Sequence, residues 1–235
     1  KKKISNFKEG YRQNIALLGD EYSGKTTLLK KLSSEIQDEK LAFIYVEILP
    51  YEFQLFIKRC INSLFFGYLK TRQLVSAREN LNTLVQMAKE PLPQTATLVE
   101  NLLAHIEKEK PENLFKDLFA AIETFSLETK KNCILIFDEF QNIKEFGTKN
   151  IWNELGKKLM FQKNSLFIFS SSAKIDAKEI LSNELSLLFG NFETIELNPL
   201  KSIESTELIN QCMGNINEEK EITSFLINFT GGNPF

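Results

Sequence analysis

Asn14-Ile15-Ala16-Leu17-Leu18-Gly19-Asp20-Glu21-Tyr22-Ser23-Gly24-Lys25-Thr26-Thr27-Leu28-Leu29 is the stretch on which the fold turns. It opens as a short apolar run, passes through Gly-x-x-x-x-Gly-Lys-Thr, and continues with Leu28, Leu29, Leu32 and Ile36 on one helical face. Strand, glycine-bearing loop and helix in that order make a phosphate cradle, the Walker A pattern. The glycines let backbone N–H groups wrap an anion, and the helix N-terminus adds its positive dipole end. Gly19, Asp20, Glu21, Tyr22, Ser23, Gly24, Lys25, Thr26 and Thr27 are therefore the expected nucleotide contacts. Lys25 is expected to neutralise β- and γ-phosphate oxygens during transfer, and Thr26 to offer its hydroxyl to Mg²⁺.

A second apolar run, Ile134-Leu135-Ile136-Phe137, ends in Asp138-Glu139. Behind such a loop this is the Walker B arrangement. Asp138 is expected in the Mg²⁺ shell, directly or through water. Glu139 is expected to polarise the attacking water as general base. The next apolar run, Phe167-Ile168-Phe169, ends in Ser170-Ser171-Ser172. A polar residue that senses the γ-phosphate belongs there, with Ser171 the first choice and Ser170 the second. No Asn/Thr-Lys-x-Asp guanine-reading pattern follows a later strand, so ATP rather than GTP is expected.

Outward from these motifs, β-like runs alternate with helical patterns, which predicts a parallel sheet covered on both faces. The predicted strands are Asn14–Leu18, Leu41–Ile48, Cys133–Phe137, Leu166–Ser170 and Phe192–Leu197. Between the second and third lies a helical insert, about residues 50–130. It carries stripes at Phe53/Phe56/Ile57/Cys60/Ile61/Leu64/Phe65/Tyr68, at Leu81/Leu84/Val85/Ala88, at Leu98/Val99/Leu102/Leu103/Ile106 and at Leu114/Phe115/Leu118/Phe119/Ile122/Phe125. Stripes of this kind are read as core packing. Residues 1–199 form the expected ATPase core. Residues 200–235, with helices over Ile203–Cys212 and Glu218–Phe229, begin a small lid. The Lys1–Lys3 run is read as a solvated end.

Composition sets limits on this reading. Net charge is −2, with 29 basic and 31 acidic residues among 235, which gives no general grip on nucleic acid. Three scattered cysteines and the single His105 make neither a zinc site nor a disulfide framework. A reducing, cytoplasmic setting is expected. No run reaches membrane-span length. With no starting Met and an end at Asn233-Pro234-Phe235, the chain reads as a segment of a longer protein.

With these pieces located, the chain resembles the AAA+/STAND group of P-loop ATPases, in particular the archaeal-type ATPase family. The resemblance rests on Gly19–Thr26, Phe137-Asp138-Glu139-Phe140-Gln141, Phe169-Ser170-Ser171-Ser172, Leu188-Phe189-Gly190-Asn191-Phe192, Ile195-Glu196-Leu197-Asn198-Pro199-Leu200 and Thr230-Gly231-Gly232-Asn233-Pro234-Phe235. It implies a five-stranded 5-1-4-3-2 sheet, a helical lid with Pro234 near the nucleotide, and a nucleotide-driven switch acting on a protein partner or by self-assembly. The chain departs from the family pattern at Asp20 and Glu21, where the loop is often basic, and at Asn191, where an Arg is common. No Gly-Arg-Glu-like signature precedes the first strand, and Tyr11 and Arg12 stand as candidates for adenine contact. The alternative is a DNA-associated ATPase whose DNA contacts lie outside these residues; a small-molecule kinase fits the Asp-Glu pair less well. Arginine occurs only at 12, 59, 72 and 78. Slow hydrolysis in isolation, relieved by an arginine supplied by a partner, is therefore expected.

Overall fold

The computed structural model describes residues 2–36, 38–77, 79–148, 150–186, 192–213 and 220–234. Five parallel strands form one sheet: β1 (Asn14–Gly19), β2 (Leu41–Glu47), β3 (Asn132–Asp138), β4 (Ser165–Ser171) and β5 (Phe192–Leu197). Their order is β2-β3-β4-β1-β5, the expected 5-1-4-3-2 arrangement read from the other edge. β3 shows why its sequence is continuously apolar. Cys133, Leu135 and Phe137 point to one face and Ile134 and Ile136 to the other, and all five are buried. In β4, Phe167 and Phe169 join the first face while Leu166 and Ile168 join the second.

The second face is thin. α1 (Lys2–Lys8) and α2 (Lys25–Glu35) cover it through Ile4, Phe7 and Leu29. At the N-terminal end of α1, Lys2 is exposed as expected of a solvated end, whereas Lys3 makes a hydrogen bond to Gln13 and pairs with Glu193 at 2.5 Å. On α2, Leu29 is buried but Leu28, expected beside it, is half-exposed.

The first face carries the helical insert: α3 (Phe53–Thr71), α4 (Leu81–Ala88), α5 (Pro93–His105) and α6 (Pro111–Thr129). Its stripes are core, and an aromatic chain runs from Phe56 onto Phe115, Phe119 and Phe167 at 4.8–6.4 Å between ring centroids. The residue before α5 is Leu92, whose side chain cannot cap a helix. Glu128 of α6 substitutes for a cap, accepting from the backbone N–H of Gln94 and Thr95 and from the Thr95 hydroxyl.

A 3-10 helix, Phe140–Phe146, follows β3, and α7 (Ile151–Phe161) leads to β4. α8 (Lys174–Glu179) runs into a π-helical turn, Ile180–Glu184. After β5 come α9 (Ser202–Met213) and α10 (Lys220–Thr230). The Leu188–Asn191 stretch that carries part of the family resemblance lies outside the described residues, as do Arg78 and Phe235. No described helix is long and apolar enough to cross a membrane.

Candidate functional site

β1 and β3 are separated by β4 in the sheet, so their carboxyl ends open a crevice where the loops diverge. At the end of β1 the chain turns through residues 20–24 into α2. Gly24 makes that turn at φ 87°, a left-handed conformation that glycine adopts without strain. A Cβ there would lie 3.4 Å from the Pro234 ring. Pro234 is thus packed on the phosphate loop. Behind it, Gly232 at φ 83° lets the backbone approach Leu200 so closely that a Cβ would meet the Leu200 carbonyl at 2.3 Å. The Leu200 N–H donates to the Gly232 carbonyl at 2.8 Å, fixing the approach.

Lys25 is 5 % exposed and donates to the carbonyls of Gly19 at 2.9 Å and Asp20 at 2.8 Å. Asp20 in turn forms an ion pair with Lys174 at 2.8 Å, tying the loop to the start of α8. The buried Asp138 carboxylate gathers three hydroxyls. Thr26 donates to Oδ2 at 2.7 Å, Tyr45 donates to the same oxygen at 2.6 Å, and Ser170 donates to Oδ1. Three donors make the burial of this acidic group tolerable with no basic partner among the described residues. Burial, and then the bond to Asp138, push the Tyr45 phenol pKa upward, so it stays a protonated donor.

Glu139 adopts φ 55°, ψ 47°, left-handed for a residue with a side chain. Such a conformation costs roughly 1–2 kcal/mol and is held by its surroundings. Its Oε2 accepts from Ser172 N–H at 3.0 Å, the Ser172 hydroxyl at 2.7 Å and Gln141 Nε2 at 2.7 Å. These groups face a cavity of about 670 Å³.

Of the residues expected at the site, Glu21, Tyr22, Gly24, Lys25, Thr26, Thr27 and Glu139 line this cavity. Gly19, Asp20, Ser23, Asp138 and Pro234 are not in the lining but bond or pack against residues that are. Ser171 differs: it is fully buried, and its hydroxyl exchanges hydrogen bonds with the backbone of Ala173. Ser172 lines the cavity in its place, and Ser170 is spent on Asp138. Gln141, Asn142 and Tyr45 are additions that motif reading did not supply. Arg12, a candidate for adenine contact, instead donates to the carbonyls of Gln162 and Met160. Tyr11 is 72 % exposed.

One carboxylate and one hydroxyl in contact suit Mg²⁺, which keeps several waters and takes few protein ligands besides phosphate oxygens. Cys60 and Cys133 are buried, and that burial pushes their thiols up, that of Cys133 to about 12, which disfavours the reactive thiolate at both.

Among solved structures, a Walker-type ATPase of Pyrococcus abyssi has this fold, with TM-score 0.63 and 16% identity over 99% of this chain and 62% of its own. The ADP form of the Aeropyrum pernix ORC2 protein also shares it, with TM-score 0.59 and 10% identity over 99% of this chain and 58% of that one. The same protein in its ADPNP–ADP complexes gives TM-score 0.52 and 11% identity, over 89% and 48%. The chain therefore spans less than two thirds of each of these proteins. No curated protein matches it in sequence. Residues 2–235 match a family described as an ATPase domain predominantly from Archaea, and the chain, with its phosphate loop and strand-end Asp-Glu pair, belongs to that family of P-loop ATPases.

Proposed function

We propose that these residues bind ATP with Mg²⁺, hydrolyse it slowly, and convert nucleotide state into a change of conformation or assembly. The observation that carries this reading is the contact of Thr26 with Asp138 at 2.7 Å, across 112 residues of sequence, beside a cavity that Glu139 and Lys25 both line. Thr26 and Asp138 would hold Mg²⁺, which when bound neutralises charge on the phosphate oxygens. Lys25 exchanges its bonds to the Gly19 and Asp20 carbonyls for bonds to phosphate. Glu139 takes a proton from water through Oε1, the oxygen without a protein donor among the described residues. Ser172 is taken, in place of Ser171, as the hydroxyl that meets the γ-phosphate, a role supported by its position in the cavity lining. Calorimetric titration of ATP into Lys25→Ala tests the reading: affinity is expected to collapse, and unchanged affinity would sink it.

The switch part of the proposal has two physical handles. Lys25 ties the loop together through its bonds to the Gly19 and Asp20 carbonyls, contacts that phosphate must displace, and a ligand shifts conformation only through such differential contacts. Pro234 then couples the loop to Gly232 and Leu200, within the residues 200–235 read as the start of a lid, and Lys174 couples it to α8. A cytoplasmic setting, with Cys60 and Cys133 as free buried thiols, belongs to the same reading.

Among the described arginines, none lines the cavity. Arg12 is tied to α7 and Arg72 lies over the Tyr68 ring. Arg59 donates to the Glu47 carbonyl at the carboxyl end of β2. An arginine from a partner or a second copy is the missing element, worth roughly 10³–10⁵ in turnover where one is supplied. ATPase rate per molecule is therefore expected to rise with protein concentration or with a partner. Fast turnover unaffected by dilution would remove this element. With net charge −2, duplex DNA is expected to bind no tighter than about 10⁻⁴–10⁻⁶ M at physiological salt. Nanomolar binding would favour the DNA-associated alternative.

A further inference from the structure

Gln141 is 7 % exposed and lines the cavity, and its two amide atoms have unequal fates. Nε2 donates to Glu139 Oε2 at 2.7 Å. Oε1 is buried, and no donor among the described residues reaches it. Exchanging the two atoms would set an amide oxygen against a carboxylate oxygen, so the bond to Glu139 fixes the amide's orientation. A buried acceptor left unpaired costs about 1–3 kcal/mol, and packing alone gives no reason to keep one.

The backbone explains how Gln141 reaches this place. The left-handed turn at Glu139 starts the 3-10 helix so that residues 139 and 141 both reach the cavity. Phe140, between them, is buried instead, stacked on Phe169 at 4.8 Å and edge-on to Trp152. That anchor holds Gln141 beside Glu139.

We infer that Gln141 orients the water that attacks ATP; this rests on the hydrolytic reading above. A water beside Glu139 has two hydrogens to place. One goes to Glu139 Oε1, which takes it as a proton. The other is held as a hydrogen bond by Gln141 Oε1, which turns the water's lone pair outward toward the γ-phosphorus. The new bond joins the water oxygen to that phosphorus, and the bond from phosphorus to the β,γ-bridging oxygen breaks. Its electron pair leaves with ADP, and the proton on Glu139 passes to solvent or phosphate. Gln141 exchanges no proton, so it is a positioning residue.

The test is single-turnover hydrolysis with Mg²⁺-ATP, alongside titrations of ADP and of ADP with aluminium fluoride, which mimics the transferring group with its in-line water. Gln141→Met keeps the length but removes both amide atoms. Hydrolysis is expected to fall on the order of 10²-fold, as for a misplaced reactant. Affinity for ADP with aluminium fluoride is expected to drop more than about tenfold, while ADP affinity holds within about twofold. The thermal midpoint is expected to change little, because the unpaired acceptor is removed together with the Nε2 bond to Glu139, and the two losses offset. Gln141→Asn, which withdraws the amide by one methylene, serves if the first variant folds poorly, and is expected to lose hydrolysis too. Wild-type hydrolysis in either variant, or an equal loss of ADP affinity, would overturn the proposal. Glu139→Gln is measured in parallel: if that variant hydrolyses normally, the hydrolytic reading fails. If it is inactive while the Gln141 variants are not, only water positioning fails.

Discussion

The carboxyl ends of β1, β3 and β4 and the four insert helices lie on the same scaffold but are built from opposite materials. The first region buries Lys25, Asp138, Gln141, Ser170 and Ser171. Three hydroxyls converge there on one carboxylate, and two side-chain-bearing residues, Tyr22 and Glu139, are held at left-handed φ. The insert buries phenylalanine and aliphatic side chains at helical spacing, and its buried polar groups, Thr95 and Ser126, are fully engaged by Glu128 and the Lys131 carbonyl. Chemistry and stability are thus separated in space. Substitutions at the carboxyl edge should change turnover with little loss of fold, and substitutions in the insert should do the reverse.

The sharpest use of that separation is Glu139→Gln. It keeps the side-chain shape and the contact surface but removes the base, so turnover is expected to fall about 10²–10⁴-fold. ATP affinity and thermal midpoint should stay near those of the unaltered protein. A large drop in midpoint would show that the carboxylate, through its bonds to Ser172 and Gln141, is also a structural element.

Phe115→Ala is the converse. Phe115 is fully buried between Phe56 and Phe119, so the cavity left behind should cost about 3–5 kcal/mol in urea unfolding. ATP affinity of the folded fraction should not change. Weaker ATP binding at full folding would mean that the insert and the crevice are coupled.

The same contrast explains what could be read from sequence. Insert stripes and two-faced strands repeat with fixed periods, so Phe53 through Tyr68 and Cys133 through Phe137 announced their burial, and the strand order followed from the family resemblance. α1 was missed because its two buried residues, Ile4 and Phe7, give a single helical spacing amid lysines. At the edge of β4 the difficulty was parity. Successive strand residues alternate faces, so a shift of one residue exchanges every role. Ser170 has the parity of Leu166 and Ile168 and meets Asp138, while β4 runs one residue past the expected end, so Ser171 is buried within the strand and Ser172 is left to line the cavity. Gln141 depended on a backbone reversal at Glu139 that no composition signals, since left-handed conformations there are normally glycine's.

A smaller effect is expected where the insert holds its own polar contact. Glu128→Ala removes the acceptor that satisfies the start of α5, and such caps are worth about 0.5–2 kcal/mol. Urea unfolding should register that loss with ATPase rate unchanged. Loss of turnover without loss of stability would contradict the division of labour.

Tyr45 sits on the border between the two regions, and its phenylalanine variant should give the smallest effect. Its ring belongs to packing: it lies on β2, with Lys30 of α2 5.8 Å from the ring centroid, and its backbone N–H donates to Ser63 of α3 at 3.0 Å. Its hydroxyl belongs to the site, sharing Asp138 Oδ2 with Thr26. Tyr45→Phe keeps the ring and removes one of three donors, so Asp138 retains Thr26 and Ser170. The expected cost is about 0.5–1.5 kcal/mol of stability in nucleotide-free protein, the net worth of one hydrogen bond. The phenol's raised pKa keeps the donor protonated through neutral and mildly alkaline pH, so this difference between the proteins should not vary with pH there. If Thr26 and the remaining carboxylate suffice to hold Mg²⁺, the Mg²⁺ concentration needed for half-maximal ATP binding should move less than about threefold, less than 1 kcal/mol. A shift beyond tenfold in that midpoint, with stability unchanged, would place Tyr45 wholly within the nucleotide site and extend the site across β3 to the edge strand β2.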